Sequence, residues 1–354
     1  MRPEGDRLVG NWLLLICAMI FGMVMGGGHA RTIGAGFAVL VWRPFLGFIP
    51  PLSHAAWEHL FGLYKQTSQF RLVHPGMTLA QFQALFWPMF LDRVWGRVMG
   101  VVFAVPLAVF WWRGRIGNRL ALWLLALFGA GAIEAVMGWY MVKTAFIPGV
   151  TTIPPAWLAP HFILAMLILG AMLWTALTIK RPLPEPIAGA AHLRPWLNAS
   201  IGLIILTIGA GALVAATNAI TVFNTFPLMD GRFVPHGFYA LHPAWLNFID
   251  NKATVQFDHR ILATLTAVTV LITAVMGLRA PLSPKGRDAF LILAGFVSLQ
   301  YILGMTALLS AMPEIGYVHE LNAVLLLASA ITARHSLRGA LPARAAIAMK
   351  ELAS

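Results

Sequence analysis

Apolar and polar positions alternate along this chain in long blocks. Eight apolar runs of about 20 residues stand out, at about 10–28, 94–112, 120–141, 158–179, 199–220, 261–278, 289–310 and 317–333. Each is long enough to cross a bilayer as a helix, so eight spans are predicted. The first run is too long, and too poor in a small-residue cleavage site, to read as a signal peptide, and it is kept as a span. Between the first and second runs, 57–65 and 77–87 have the pattern of short amphipathic helices lying at the interface, with Thr78 a suitable N-cap for the second. The segment around Trp42-Arg43-Pro44 and Pro50-Pro51 reads as turn and extended chain.

Composition agrees with this pattern. Of 354 residues, 59% are hydrophobic and 11% charged, and mean hydropathy is +0.77. A soluble domain carries about 25% charged residues. The formal charge of +12 is not a nucleic-acid signature, because of where it lies. Arg113, Arg115 and Arg119 follow the second run, Lys180, Arg181 and Arg194 the fourth, Arg279, Lys285 and Arg287 the sixth, and Arg334, Arg338, Arg344 and Lys350 the eighth. Basic residues near span ends mark the cytoplasmic side, which places both termini there and the long odd-numbered loops outside. The single cysteine, Cys17, excludes an intrachain disulfide and a cysteine-based metal site; it reads as a small packing residue.

Polar residues inside the apolar runs are the candidates for chemistry, because they are costly in lipid. Gln256-Phe257-Asp258-His259-Arg260 opens the sixth run, and His319 opens the eighth. Asp92 and His161 open the second and fourth. With even-numbered spans all running inward, these four share a depth near the outer face. The halves also match: Asp92-Arg93 with His259-Arg260, Glu134 with Gln300, Gly138 with Gly304, and His161 with His319. Asp92 to Glu134 is 42 positions and His259 to Gln300 is 41. The pattern predicts an all-α integral membrane protein built as two pseudo-repeated four-helix bundles in parallel orientation. The halves are 1–185 and 195–340, with a cytoplasmic tail at 341–354.

Two histidines at repeat-related positions in one bundle suit bis-imidazole ligation of a haem iron; zinc would need three or four ligands. Arg260 and Arg93, each beside its candidate ligand, either pair with haem propionates or snorkel to the interface. Glu134, a carboxylate within a span, either relays protons or pairs with Arg93 or Arg97. His29, His54, His59, His74, His236 and His242 are expected to be solvated in outer loops, and His192 and His335 to lie on the cytoplasmic side.

At these residues the chain resembles the haem A synthase family, in its long alphaproteobacterial-type form. The resemblance runs from Gly26 to about His335 and rests on Trp42-Arg43-Pro44 to Pro50-Pro51, Tyr64-Lys65-Gln66, Gly76-Met77-Thr78-Leu79-Ala80, Gly138-Trp139-Tyr140-Met141-Val142-Lys143, Asn224-Thr225-Phe226-Pro227-Leu228-Met229-Asp230-Gly231 and Gln256-Phe257-Asp258-His259-Arg260. It implies oxidation of the ring D methyl of haem O to a formyl group, giving haem A for cytochrome oxidase. It implies a haem B held by His259 and His319 in the second half, and substrate haem O bound in the first half near Asp92, His161 and Glu134. It implies a bacterial inner membrane, with haem O synthase and cytochrome oxidase assembly factors as partners and a homo-oligomer left open. Where the family has Glu, two residues and His-Arg at the mouth of span two, this chain has Met89 and Asp92-Arg93. The family's Gln in span three is Glu134, and its His-Gln in span eight is His319-Glu320. These departures raise an alternative, a catalytically impaired relative that only binds haem.

Overall fold

The computed structural model describes residues 7–41, 47–184 and 186–342. Trp42, Arg43 and Pro44 of the turn motif, and the expected tail beyond 342, lie outside the described residues. Ten α-helices account for most of the rest: α1 (Arg7–Thr32), α2 (His54–Tyr64), α3 (Ser68–Leu72), α4 (Leu79–Trp112), α5 (Asn118–Lys143), α6 (Pro155–Lys180), α7 (Leu193–Thr217), α8 (Lys252–Arg279), α9 (Pro284–Ser310) and α10 (Pro313–Ser336). All but α2 and α3 are long and apolar enough to span a membrane, and these eight correspond to the eight apolar runs.

One boundary differs from the sequence expectation. The stretch at 77–87 does not form a helix of its own; it is the first part of α4, which runs straight through Pro88. Thr78 caps it as expected, in a capping box with Gln81. The reason for the continuity lies in packing. Phe82, Phe86 and Phe90 recur every four residues, all three are buried, and Phe86 stacks on Phe90 at 5.4 Å. This aromatic face rests on α2 through Phe61 and Tyr64. Burying it outweighs the single helical hydrogen bond that Pro88 removes. At 1.5 Å per residue α4 is about 51 Å long, well beyond the roughly 30 Å of bilayer hydrocarbon. Its first turns must therefore stand clear of the membrane, together with α2 and α3.

The spans pack in two rings. In the first, α1 contacts α4 and α6, and α5 contacts α4 and α6. In the second, α7 contacts α8 and α10, and α9 contacts α8 and α10. The rings meet where α6 packs on α7, α1 on α10, and α6 on α10. A continuous core of buried Leu, Ile, Met and Phe joins them. His335 belongs to that core at 2% exposure, with Thr178 Oγ1 at 3.2 Å and the edge of Trp174 against its ring. At the same end of the molecule, β1 (Ile187–Ala188) pairs in parallel with β2 (Ala340–Leu341). Arg194 reinforces this tie by donating to the carbonyls of Leu337 and Arg338.

At the opposite end, α2 and α3 form a small aromatic domain over the first ring. Tyr64 is fully buried, donates to Gln69 Oε1 at 3.0 Å and meets His74 Nδ1 at 2.7 Å; Gln69 in turn donates to Gly34 O. His74 is thus a bonded, half-buried residue rather than a solvated one, and burial holds its pKa below the ordinary 6.5. His29 lies within the last turn of α1 rather than in a loop.

Candidate functional site

The site is built from the N-terminal turns of α8. Asn251 caps that helix, its Oδ1 accepting from the amides of Ala253 and Thr254. The cap fixes where the helix begins, and so sets His259 about two turns in. Gln256 and Arg260, four residues apart, share a face and turn to the loop between α7 and α8. Gln256 Nε2 donates to Phe223 O at 3.0 Å, and the Arg260 fork donates to Phe223 O at 2.6 Å and Thr225 O at 2.8 Å. Arg260 thus fastens a loop through the two ends of its fork, while its Nε is buried without a partner among the described residues and the side chain also lines a cavity.

His259 points the other way, into the second ring. Its ring lies against Gly211 of α7, where a Cβ would come 3.2 Å from Cε1. It faces the Thr207 backbone, yet among the described residues its Nδ1 has no hydrogen-bond partner. His319 takes the equivalent place on α10, against Gly304 of α9, where a Cβ would come 2.8 Å from Cε1. Its Nδ1 lies 3.1 Å from Gln300 O, and its Nε2 lies 3.2 Å from Gln300 Nε2. Asn322 settles the amide orientation by donating to Gln300 Oε1 at 2.7 Å. With that carbonyl as its only available role, Nδ1 carries the proton and Nε2 holds the lone pair. The two imidazoles stand at opposite corners of the ring, within electrostatic range of each other. Both line one cavity of about 770 Å³, together with Arg260, Gly211 and Gly304.

This arrangement fits a haem. The volume lies within the roughly 300–1,000 Å³ of ligand pockets, the glycines leave space that any Cβ would fill, and one imidazole nitrogen is buried and orphaned. Among the described residues no three His, Cys, Asp or Glu side chains converge as a metal-binding group. A metal here would need its remaining ligands from a macrocycle.

The first ring holds a second polar pair at the matching corners. Asp92 on α4 is lodged beside Gly26 and Gly27 of α1; a Cβ at Gly26 would overlap its carboxylate. Asp92 and His161 stand within electrostatic range of each other. His161 on α6 contacts the Glu134 carboxylate of α5 through Nδ1, with Gly138 one turn below. Glu134 thus pairs with His161, not with Arg93 or Arg97. Arg93, within electrostatic range of Asp92, lines a cavity of about 410 Å³ with Arg97, His59 and Phe90. Met89, at the position of the family's Glu, packs into the aromatic cluster.

Several residues escaped the sequence reading. Arg31 of α1 forms an ion pair with Glu320 of α10, joining the rings beside the cavity. Tyr317 donates to Met25 O across the same seam. Gly211 also went unnoticed. A usable signal exists for the glycines: Glu134 precedes Gly138, and Gln300 precedes Gly304, by four residues, which puts each polar residue and its glycine on one helix face.

The COX15-CtaA family model, described as cytochrome oxidase assembly protein, matches residues 10–331. "Heme A synthase 1" of Acidiphilium cryptum (strain JF-5) is 65% identical over 95% of this chain and 94% of its own length. "Heme A synthase 2" of the same organism is 46% identical over 95% and 93%. "Heme A synthase" of Granulibacter bethesdensis is 43% identical over 94% and 88%. With a family model covering nearly all of the chain and relatives this similar end to end, the resemblance seen in the motifs holds: the chain belongs to the COX15-CtaA family of cytochrome oxidase assembly proteins.

Proposed function

We propose that this chain is a haem A synthase, a membrane oxidoreductase that converts the ring D methyl of haem O to a formyl group, and that its second ring holds a haem B between His259 and His319. One observation carries the reading. Two histidines stand on opposite corners of a helix ring, each against a glycine, and face one cavity. The names of the relatives point the same way, and with 65% identity over 95% of the chain they give little support to a relative that has lost the reaction.

Each residue has a definable task. Gln300 O holds the His319 Nδ1 proton and so presents Nε2 to the cavity; such outer hydrogen bonds orient a metal-ligating imidazole. Iron binding at Nε2 would release the Gln300 amide contact now made there. Gly211 and Gly304 give the flat macrocycle and the rings room. Arg260 and Gln256 hold residues 223–225, next to Phe226, which lines the cavity. Haem B, once bound, would carry electrons to or from the substrate site. Haem O binds in the first ring, where His161, Glu134 and Asp92 gather. The shared packing order of the two rings, with Glu134–Gly138–His161 mirrored by Gln300–Gly304–His319, supports a parallel repeat with halves near 1–185 and 195–340.

The basic residues at the ends of α4, α6, α8 and α10 favour that face as cytoplasmic, with both termini on it, in a bacterial inner membrane. Haem O synthase as the source of substrate, and cytochrome oxidase assembly factors as receivers of product, are the partners this reading implies. The test is His259→Ala in the purified protein. We expect its low-spin haem spectrum to disappear; an unchanged spectrum would refute the ligand assignment.

A further inference from the structure

The two diagonal pairs are built alike but supplied differently. In the second ring both corners are imidazoles, and His319 meets only the neutral amide and carbonyl of Gln300. In the first ring His161 Nδ1 meets a carboxylate, Glu134. Among the described residues neither Glu134 oxygen has a hydrogen-bond partner besides this contact, so the carboxylate is committed to that imidazole. The opposite corner is a carboxylate too. Asp92 Oδ1 is buried without a partner, and it sits against α1 where Gly26 lacks the Cβ that would displace it.

We propose that the first ring holds the iron of its haem substrate through one axial nitrogen, Nε2 of His161, with Glu134 as the positioning residue, and that the axial side facing Asp92 has no protein ligand. The proposal rests on the placement of haem O in the first ring. A carboxylate bonded to Nδ1 fixes the tautomer, aims Nε2 at the metal and strengthens its donation. Haem iron takes axial His, Cys, Met or Tyr, whereas carboxylates suit Mg, Ca or Mn, so Asp92 is a poor substitute for a second imidazole. Gly26 and Gly27 leave room for the Asp92 carboxylate to lie against α1. One open axial side distinguishes a site that must admit a reactant from the second ring, where both sides are closed by imidazoles.

The test uses the detergent-purified full chain titrated with haem O. Electron paramagnetic resonance reads the ferric form and resonance Raman the ferrous form, and the low-spin signal of the His259/His319 haem serves as a folding control in every variant. We expect a second haem per chain with a high-spin signal. Glu134→Gln should lower the iron–imidazole stretching frequency while the haem stays bound, and Glu134→Asp should restore it. Asp92→Ala should leave the high-spin signal in place, and Asp92→His should convert it to low-spin. A second haem that is low-spin in the unaltered protein overturns the ligation proposal alone, and so does a stretching frequency indifferent to Glu134→Gln. Absence of any second haem overturns both this proposal and the placement of the substrate. The unaltered protein decides between these outcomes even if a variant fails to fold.

Discussion

At Gly304 a single methyl group would lie 2.8 Å from His319 Cε1 and 3.3 Å from its Nδ1. No real Cβ tolerates the closer approach, and the imidazole is held by Gln300, so the ring must turn away. Overpacking of this kind costs about 1–3 kcal/mol. We expect Gly304→Ala to weaken haem retention about tenfold or more, since 1.4 kcal/mol corresponds to a factor of ten. Gly138→Ala, whose Cβ would stand 4.0 Å from His161, should be tolerated. Pigment retained per chain through purification compares the two, and equal retention would refute the idea that the glycine shapes the site. His259, His319, His161 and Asp92 were legible in the sequence because a polar residue in an apolar run is conspicuous. Of their glycine partners, Gly138 and Gly304 were legible only as matched positions and Gly211 not at all, because glycine is ordinary in a membrane helix and acquires its meaning only from the ring that packs against it. The carbonyl partners of Arg260 were hidden for a similar reason: its charge was visible, but they lie more than 30 positions away.

Among the elements, α8 depends most on its first turn. Asn251 accepts from two amides of that turn, while its Nδ2 donates to Gly237 O and to Asn247 Oδ1. Losing an N-cap costs about 0.5–2 kcal/mol, and here the loop that covers the site is released as well. Asn251→Ala should raise amide exchange over 218–256 while exchange in α9 stays unchanged; uniform protection would contradict this. The α2–α3 domain should respond to pH. The pKa of His74 is depressed by burial, so the fold favours its neutral form. That contribution is complete above the ordinary value of 6.5 and is lost as pH falls through the lower folded value. Amide protection in α2 and α3 should therefore decline below about pH 6.5, and His74→Gln should flatten the profile. Element number and type were readable from hydropathy. The fusion of 77–87 with span two was not, because Pro88 argues locally for a break and only the aromatic face on α2 argues against it.

Across the whole molecule, the seam between the rings is bridged by the ion pair of Arg31 with Glu320, whose side chains are 26% and 15% exposed. Removing one partner of a buried pair costs up to about 3–5 kcal/mol, whereas replacing both by apolar groups of similar size is often neutral; the partial exposure argues for the lower part of that range. Arg31→Met should lower the unfolding temperature, and Arg31→Met combined with Glu320→Leu should recover much of the loss. Additive losses would remove the pair from any role in holding the rings together. The pair joins positions 289 apart, a distance at which local periodicity has nothing to say. The proposed repeat is traced instead by spacing, 42 positions from Asp92 to Glu134 against 41 from His259 to Gln300.

The most direct measurement is the pigment content of the purified chain, expressed in cells that make haem O, extracted and identified by chromatography with mass detection. We expect haem B together with haem A or a hydroxylated haem O, the first held by His259 and His319 and the second formed beside His161. Haem B alone, in cells well supplied with haem O, would contradict the synthase reading and leave a haem-binding relative in its place.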